Sequence, residues 1–543
     1  MVFARRSTTL LAAIIASCAM VLSLTACTSD NKTVVDGQTT VTSNSAGGVA
    51  VFTPSDGITL NQQTPLNKWA KLVPDLAKAL ADAGFKKGDI DHTTSDSLAK
   101  QSRAIQDFVV DHLSNNTTDD SGIAIAPDNM TLLVAPVVEA DASTRQYGDY
   151  VSQNLSTNDA TDGEATSDGE SSEDDSSKDD SSNTESDSTA SDEQAQAVDR
   201  LVSSLKLAKE SGMHVVLLGN SIEGYKPDAF VKFSDAQTIG KLQAEKMVSK
   251  LKLDKASKDN PKYIEVLLPH TAVDEKGNAN DSTFAQEAFR GIWQVLGSYY
   301  QKGVVESPSG TLDGKSTEND WQAVAYDAAK EGSTAKVLDK RLAKTDGQST
   351  LTRIDGIITM NDYIASEVVK ELDDLGYTGS AADINPQITI SGIVGNITGK
   401  KDLSRDAVPD PIKSPENDNA NDSSSSDDDA DEDTSASDKD RDSQWPLVTG
   451  YGAYVSNIPS IVNGKQWMTG MEDRQTIATD IAQACAKLNK DEALNSMPSI
   501  RNSEVGGVKK IPTISEPLLA VSASNLKSAL IDPGYISLAD AGL

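Results

Sequence analysis

The chain has 543 residues, a formal net charge of −33 and only 5% aromatic residues. An acidic balance of that size argues against nucleic acid as a partner, since phosphate backbones are bound by clustered Lys and Arg. After Cys27 the only further cysteine is Cys485, which excludes a disulfide framework within one chain. The charge sits largely in two tracts: residues 156–194 hold 14 Asp/Glu against one Lys, and residues 402–442 hold 15 against four Lys/Arg. Both are rich in Ser, Asp and Asn and nearly free of apolar side chains, so they are predicted to be disordered insertions. The entropy of closing a loop grows slowly with its length, so a folded domain tolerates such insertions at its surface. Solvated spacer is the favoured reading for them, with calcium buffering and repulsion from anionic envelope polymers as the functional alternatives.

At the N-terminus, Arg5 and Arg6 precede an apolar run over residues 10–22 that is too short to span a bilayer. The run ends at Leu24-Thr25-Ala26-Cys27. Positive start, apolar core and small residues before a cysteine resemble a bacterial lipoprotein signal over residues 1–26. The resemblance implies cleavage before Cys27 and lipidation of its thiol, with more than one acyl chain needed for stable anchoring. The alternative is a lone buried cysteine behind an ordinary cleavage site. No other apolar run is long enough for a transmembrane helix, so the reading is of a tethered protein and not a spanning one. Residues 27–47, rich in Ser, Thr and Asn beyond the cysteine, read as a flexible tether.

Strands and helices then alternate. Residues 48–53 read as an apolar strand, 66–83 as a helix ending at Gly84, 88–92 as a strand and 96–113 as a helix. MTLLVAPVV, residues 130–138, is a continuous apolar run, as expected of a strand buried on both faces. A helix is expected to begin near Asp141, before the first acidic tract interrupts the unit. A helix over 194–209, strands over 214–218 and 228–233 and a helix over 235–251 follow. A second series has strands at 263–268, 303–306, 354–359 and 386–394, with helices at 283–300, 321–343 and 363–375. Beyond the second tract, WPLVTGYGAYVSNIPSIVNGKQWMTGMED, residues 445–473, reads as a strand (446–449) and a turn, Gly450-Tyr451-Gly452. A helix-like segment (453–462) stopped by Asn463-Gly464 and a second strand (466–469) complete that stretch. Such alternation predicts parallel sheets with right-handed crossovers, and the ordered residues suit two cores better than one.

Several stretches in this order resemble the type I periplasmic binding proteins, closest to the monosaccharide receptors of ABC importers such as xylose and multiple-sugar binders. KWAKLVPDLAKALADAGF resembles the family's first helix, and DAFVKFSDAQTIGKLQAEKMV its first crossing between lobes. TFAQEAFRGIWQVL and IDGIITMNDYIASEVVKELDDLGY resemble second-lobe units, and GGVKKIPTISEPLLAVSASNLKSALIDPGYIS the tail. The resemblance implies an α/β fold of two Rossmann-like lobes with parallel sheets, joined by crossing hinge segments around a ligand cleft. It sets lobe I at 48–234, lobe II at 235–472, and the return crossing with the C-terminal part of lobe I at 473–543. It further implies a small-molecule ligand, a carbohydrate, delivered to an ABC permease, with the membrane touched through the lipid anchor only and no cofactor. A non-transport sensor or surface interaction protein with a degenerate cleft is the alternative.

The same resemblance nominates ligand contacts. Trp69 would be an aromatic platform for a sugar face, with Lys68 beside it; core packing is the other reading. Asn220 ends a strand where relatives carry an acid, and Asp235 closes the first crossing unless it serves as a helix cap. Asn280 and Asp281 precede the helix at Thr283, Trp321 opens another, and Asn361 with Asp362 follow the strand IDGIITM. Capping or packing competes with binding at each. The last turn departs from the family: Tyr451, the contact nominated there, and Gly452 stand where sugar binders usually carry a polar and an acidic residue, and Glu472 where relatives often have a lysine. PQITISGIVGN competes as the equivalent strand and turn, and its Val394-Gly395 carries no acid either. Among His92, His112, His214 and His270 no metal spacing occurs, and neither a nucleophile elbow nor a P-loop is present, so no enzymatic activity is expected.

Overall fold

A computed structural model describes residues 46–55, 65–115, 125–138, 145–156, 184–272, 281–343, 351–381 and 444–543, with a two-residue strand pair in the separate unit Met1–Asn44. The expected signal, the lipidation site Cys27, most of both acidic tracts, the strand at 386–394 and Asn280 lie outside the described residues.

In chain order the elements are β1 (Gly48–Pro54), α1 (Trp69–Asp82), β2 (Ile90–Ser95), α2 (Leu98–Asn115), β3 (Met130–Val134) and α3 (Thr184–Glu210). Next come β4 (His214–Leu218), β5 (Ala229–Lys232), α4 (Ala236–Leu251), β6 (Lys262–Val266), α5 (Thr283–Gln301) and β7 (Val305–Glu306). After these are α6 (Ser333–Arg341), β8 (Gly356–Ile358), α7 (Asp362–Leu375), β9 (Leu447–Tyr451), β10 (Met468–Met471) and α8 (Arg474–Leu488). The chain closes with β11 (Ile500–Val505), β12 (Val508–Ser515) and β13 (Leu519–Ser522).

The strands form two principal sheets. The first has the order β11-β12-β5-β4-β3-β1-β2, parallel apart from the β11–β12 hairpin. The second has the order β7-β6-β8-β9-β10-β13, parallel apart from the β10–β13 pair. Each therefore contains a doubly wound 2-1-3-4-5 core, which places a topological switch point beside its first strand. In the first lobe α1 and α8 cover one face through Leu72, Leu76, Leu80, Ile477 and Ile481. Helices α2 and α3 cover the other through Leu98, Ile105, Leu201 and Leu205. In the second lobe α4 and α5 cross so closely that a Cβ on Gly240 or Gly291 would strike the carbonyl of Ala288 or Gln237. The chain passes between lobes at Phe233–Asp235, at Glu472–Asp473 and again between β12 and β13.

Three sequence expectations change. The helix expected over 321–343 is broken: a one-turn helix Trp321–Val324 leads into Ala325–Tyr326, which pairs with Leu268–Pro269, and α6 starts only after Gly332 at φ 70°. The helix start expected near Asp141 lies outside the described residues; the first of them after it, Arg145–Tyr147, form a single 3-10 turn. Helix α3 begins at Thr184, ten residues inside the first tract, so only part of that tract is an insertion. The tail also differs, since β13 pairs with β10 in the second sheet and residues 526–541 pack with it against Leu66, Ala453 and Ile458.

Candidate ligand cleft between the lobes

The carboxyl ends of the parallel strands face the region where the lobes meet, and three of them set its geometry. After β8, Met360 takes φ 69°, a left-handed conformation that is costly for a side chain with a Cβ. Its carbonyl accepts a hydrogen bond from Gln243 Nε2 at 3.0 Å. Asn361 then caps α7, its Oδ1 accepting from Ile364 N at 2.9 Å. Asp362 is buried, and its carboxylate accepts from Tyr454 N (2.9 Å), Thr469 Oγ1 (2.8 Å) and Gln466 Nε2 (2.7 Å). Burial outweighs these donors and pushes its pKa up to about 6. Asp362 thus fixes the turn after β9 through its bond from Tyr454 N.

That turn lies one residue later than expected. Tyr451 is the last residue of β9, paired with Gly470, and the reversal falls on Gly452 (φ 114°) and Ala453 (φ 50°). The Tyr451 side chain is fully buried, its hydroxyl 2.5 Å from Ser234 Oγ and 3.4 Å from Glu472 Oε1. Glu472 Oε1 also accepts from Ser234 N at 2.6 Å. Strand β9 and two crossings are therefore bolted together through one buried carboxyl. Burial raises Glu472 to about 7, although the Ser234 bonds pull the other way.

On the first-lobe side, Trp69 is 2% exposed and packs edge-on to Tyr150 (centroids 5.0 Å) and Phe233 (5.7 Å). Lys68 Nζ pairs with Asp149 Oδ1 at 2.7 Å, and Asp149 Oδ2 accepts from Trp69 N at 3.1 Å. Asn220 is buried between Pro136 O (2.9 Å) and Gln153 N (3.0 Å).

An open cavity of ≈ 550 Å³ remains beside these groups, walled by residues 151–154, the start of α4 and the start of α5. Asp235 and Asp281 both line it. Each also caps: Asp235 Oδ1 accepts from Thr238 N at 2.7 Å and Asp281 Oδ1 from Thr283 N at 2.9 Å. Burial pushes the Asp235 carboxyl up, but bonds from Lys232 and Thr238 more than offset this and leave its pKa below the ordinary value. Thr283 holds Asp281 below it too, with a smaller pull from His270. Trp321 stands edge-on to that same His270, at 5.2 Å between centroids. The structure so brings Asp235 and Asp281 together at one cavity. Lys68 and Trp69, Asn220, Asn361 and Tyr451 are instead engaged by one segment, residues 146–153, which the sequence did not single out. Among the described residues no group of three or more His, Cys, Asp or Glu could hold a metal ion, and no helix is long and apolar enough to cross a membrane.

No protein-family model matches the chain, and no curated protein matches it. Solved structures do. One is a solute-binding protein of an ABC transporter from Clostridium phytofermentans with bound β-D-glucose: 17% identity, TM-score 0.44, covering 91% of this chain and 99% of that one. Another is a carbohydrate transporter solute-binding protein from Chloroflexus aurantiacus with D-glucose: 17% identity, TM-score 0.43, 92% and 98% covered. An arabinose-binding protein from Geobacillus stearothermophilus has 10% identity and TM-score 0.40, with 89% and 99% covered.

Proposed function

We propose that the chain is an extracytoplasmic solute-binding protein, anchored to the membrane through Cys27, which captures a sugar or sugar-like polar ligand between its lobes. It would close over the ligand and pass it to the permease of an ABC importer. The observation that carries this reading is the interlobe cavity of ≈ 550 Å³, which has room for a monosaccharide and is bordered by the first crossing. Its ionised Asp235 and Asp281 supply acceptors for hydroxyl pairs, and Gln153, Asn154 and Gln237 add both donors and acceptors. Phe284 in the same wall gives an apolar face for a pyranose ring. Lobe closure around such a site is the ordinary hinge motion of this architecture.

Isothermal titration of the chain against a panel of monosaccharides and nucleosides tests the reading. Saturable one-to-one binding is expected for at least one of them. Asp235→Ala or Asp281→Ala should weaken it about tenfold or more, as loss of a charge-assisted bond implies. Absence of binding across the panel overturns it. A second reading, a sensor or surface interaction protein that shuttles no solute, is favoured by the engagement of residues 146–153 with the expected contacts. Capture of a histidine kinase or a cell-wall component, with no permease, would support that one.

A further inference from the structure

Residues 145–151 follow β3 in the chain and run from the end of β8, beside the switch point of the second lobe, back to Lys68 in the first, after β1 and beside its switch point. Those two places are where an open α/β sheet receives its ligand. Both ends of the segment are bolted down. Toward the second lobe, Gln146 Oε1 accepts from Asn361 Nδ2 at 3.0 Å, and the Gln146 carbonyl accepts from Tyr454 Oη at 2.7 Å. Tyr147 is 1% exposed and belongs to the second lobe's core, its ring 4.6 Å from Phe284 and 6.3 Å from Tyr451 between centroids. Toward the first lobe, Asp149 pairs with Lys68 and Tyr150 Oη donates to Lys68 O at 2.5 Å. Gly148, at φ 98°, makes the reversal between the two halves; a Cβ there would meet Asn67 O at 2.5 Å.

We propose that residues 145–151 are a tethered ligand: the chain fills the inner cleft with its own Gln146 and Tyr147 and holds the lobes together before any solute arrives. The arrangement accounts for the polar and aromatic contacts that a sugar would otherwise make at Lys68, Trp69, Asn361 and Tyr451. It leaves the cavity at Asp235 and Asp281 as the part of the cleft open to an incoming molecule, over which the lobes close from the minor open form. The proposal rests on the solute-receptor reading only for what a freed cleft would take up.

Spin labels carried by unnatural residues at Lys78 and Lys370, exposed on the first and second lobes, read the interlobe distance in the full chain. Without solute, the otherwise unaltered chain should give one narrow distance, with an open form at or below about 10%. Gln146→Ala with Tyr147→Ala should make a longer, broader distance the majority. An unchanged distribution overturns the proposal. Should that variant lose its cooperative melting transition, Gln146→Ala with Asp149→Ala removes only polar side-chain contacts and decides by the same readout. Adding the sugar panel to an opened variant separates the two ideas. Re-closure supports both, whereas opening with no response to any sugar keeps the tethered ligand and removes the sugar receptor.

Discussion

At the scale of single residues, Glu472 and its partners set the behaviour of the crossings. The groups facing its carboxyl are the Tyr451 hydroxyl, the Ser234 amide and hydroxyl and, by its charge, Asp235. Burial raises Glu472 from 4.5 to about 7, so between those values the folded chain holds a proton that the unfolded chain has released. Stability from this group is therefore complete below about pH 4.5 and is lost as pH rises through about 7. Asp362, raised to about 6, adds a similar loss at lower pH. Thermal melting from pH 5 to pH 8 should fall less steeply for Glu472→Gln than for the parent, with a difference of order 2–3 kcal/mol. Parallel curves would remove Glu472 as the titrating group. The sequence pointed to this place through its departures from the family at Tyr451, Gly452 and Glu472. It could not show that they complete one another, because Ser234 and Tyr451 are 217 residues apart.

At the scale of elements, the alternation of apolar runs and capped helices was readable because each signal is local. Asp235, Asn361 and Asp473 all cap the helices that follow them. The β11–β12 hairpin and β13 were not separately read, since VKKIPTIS and LAVS lack a long apolar run and their pairing depends on distant strands. The break after Val324 was hidden for the same reason: its cause is a pairing with Leu268–Pro269. The α4–α5 crossing is a further non-local fact, carried by Gly240 and Gly291. Gly291→Ala would place a methyl group against the Gln237 carbonyl, which is backbone and cannot swing aside. The two helices must then part, and denaturant unfolding should show a loss of about 1–3 kcal/mol. Unchanged stability would mean that the crossing tolerates wider spacing.

At the scale of the whole molecule, two sheets of the same winding are linked by three passages, and the first acidic tract interrupts the first lobe between β3 and α3. The structure narrows what can be removed there. Ala197 and Val198 of α3 are buried in the first-lobe core, and the helix reaches back to Thr184, so an excision running to Gln194 would strip turns from a core helix. Residues 157–183 contain almost no apolar side chain and nothing in their composition can offset an ordering cost. Replacing them with a flexible Gly-Ser linker that spans the same gap should leave circular dichroism and the melting transition of the lobes unchanged. A shorter tether shifts closure entropy by under about 1 kcal/mol for each halving of length, which favours the folded state slightly. A collapsed dichroism signal would show that the tract holds β3 and α3 in register. A preserved signal with a changed interlobe distance would show that it acts on residues 145–151, which precede it in the chain by way of the short strand Asn154–Leu155.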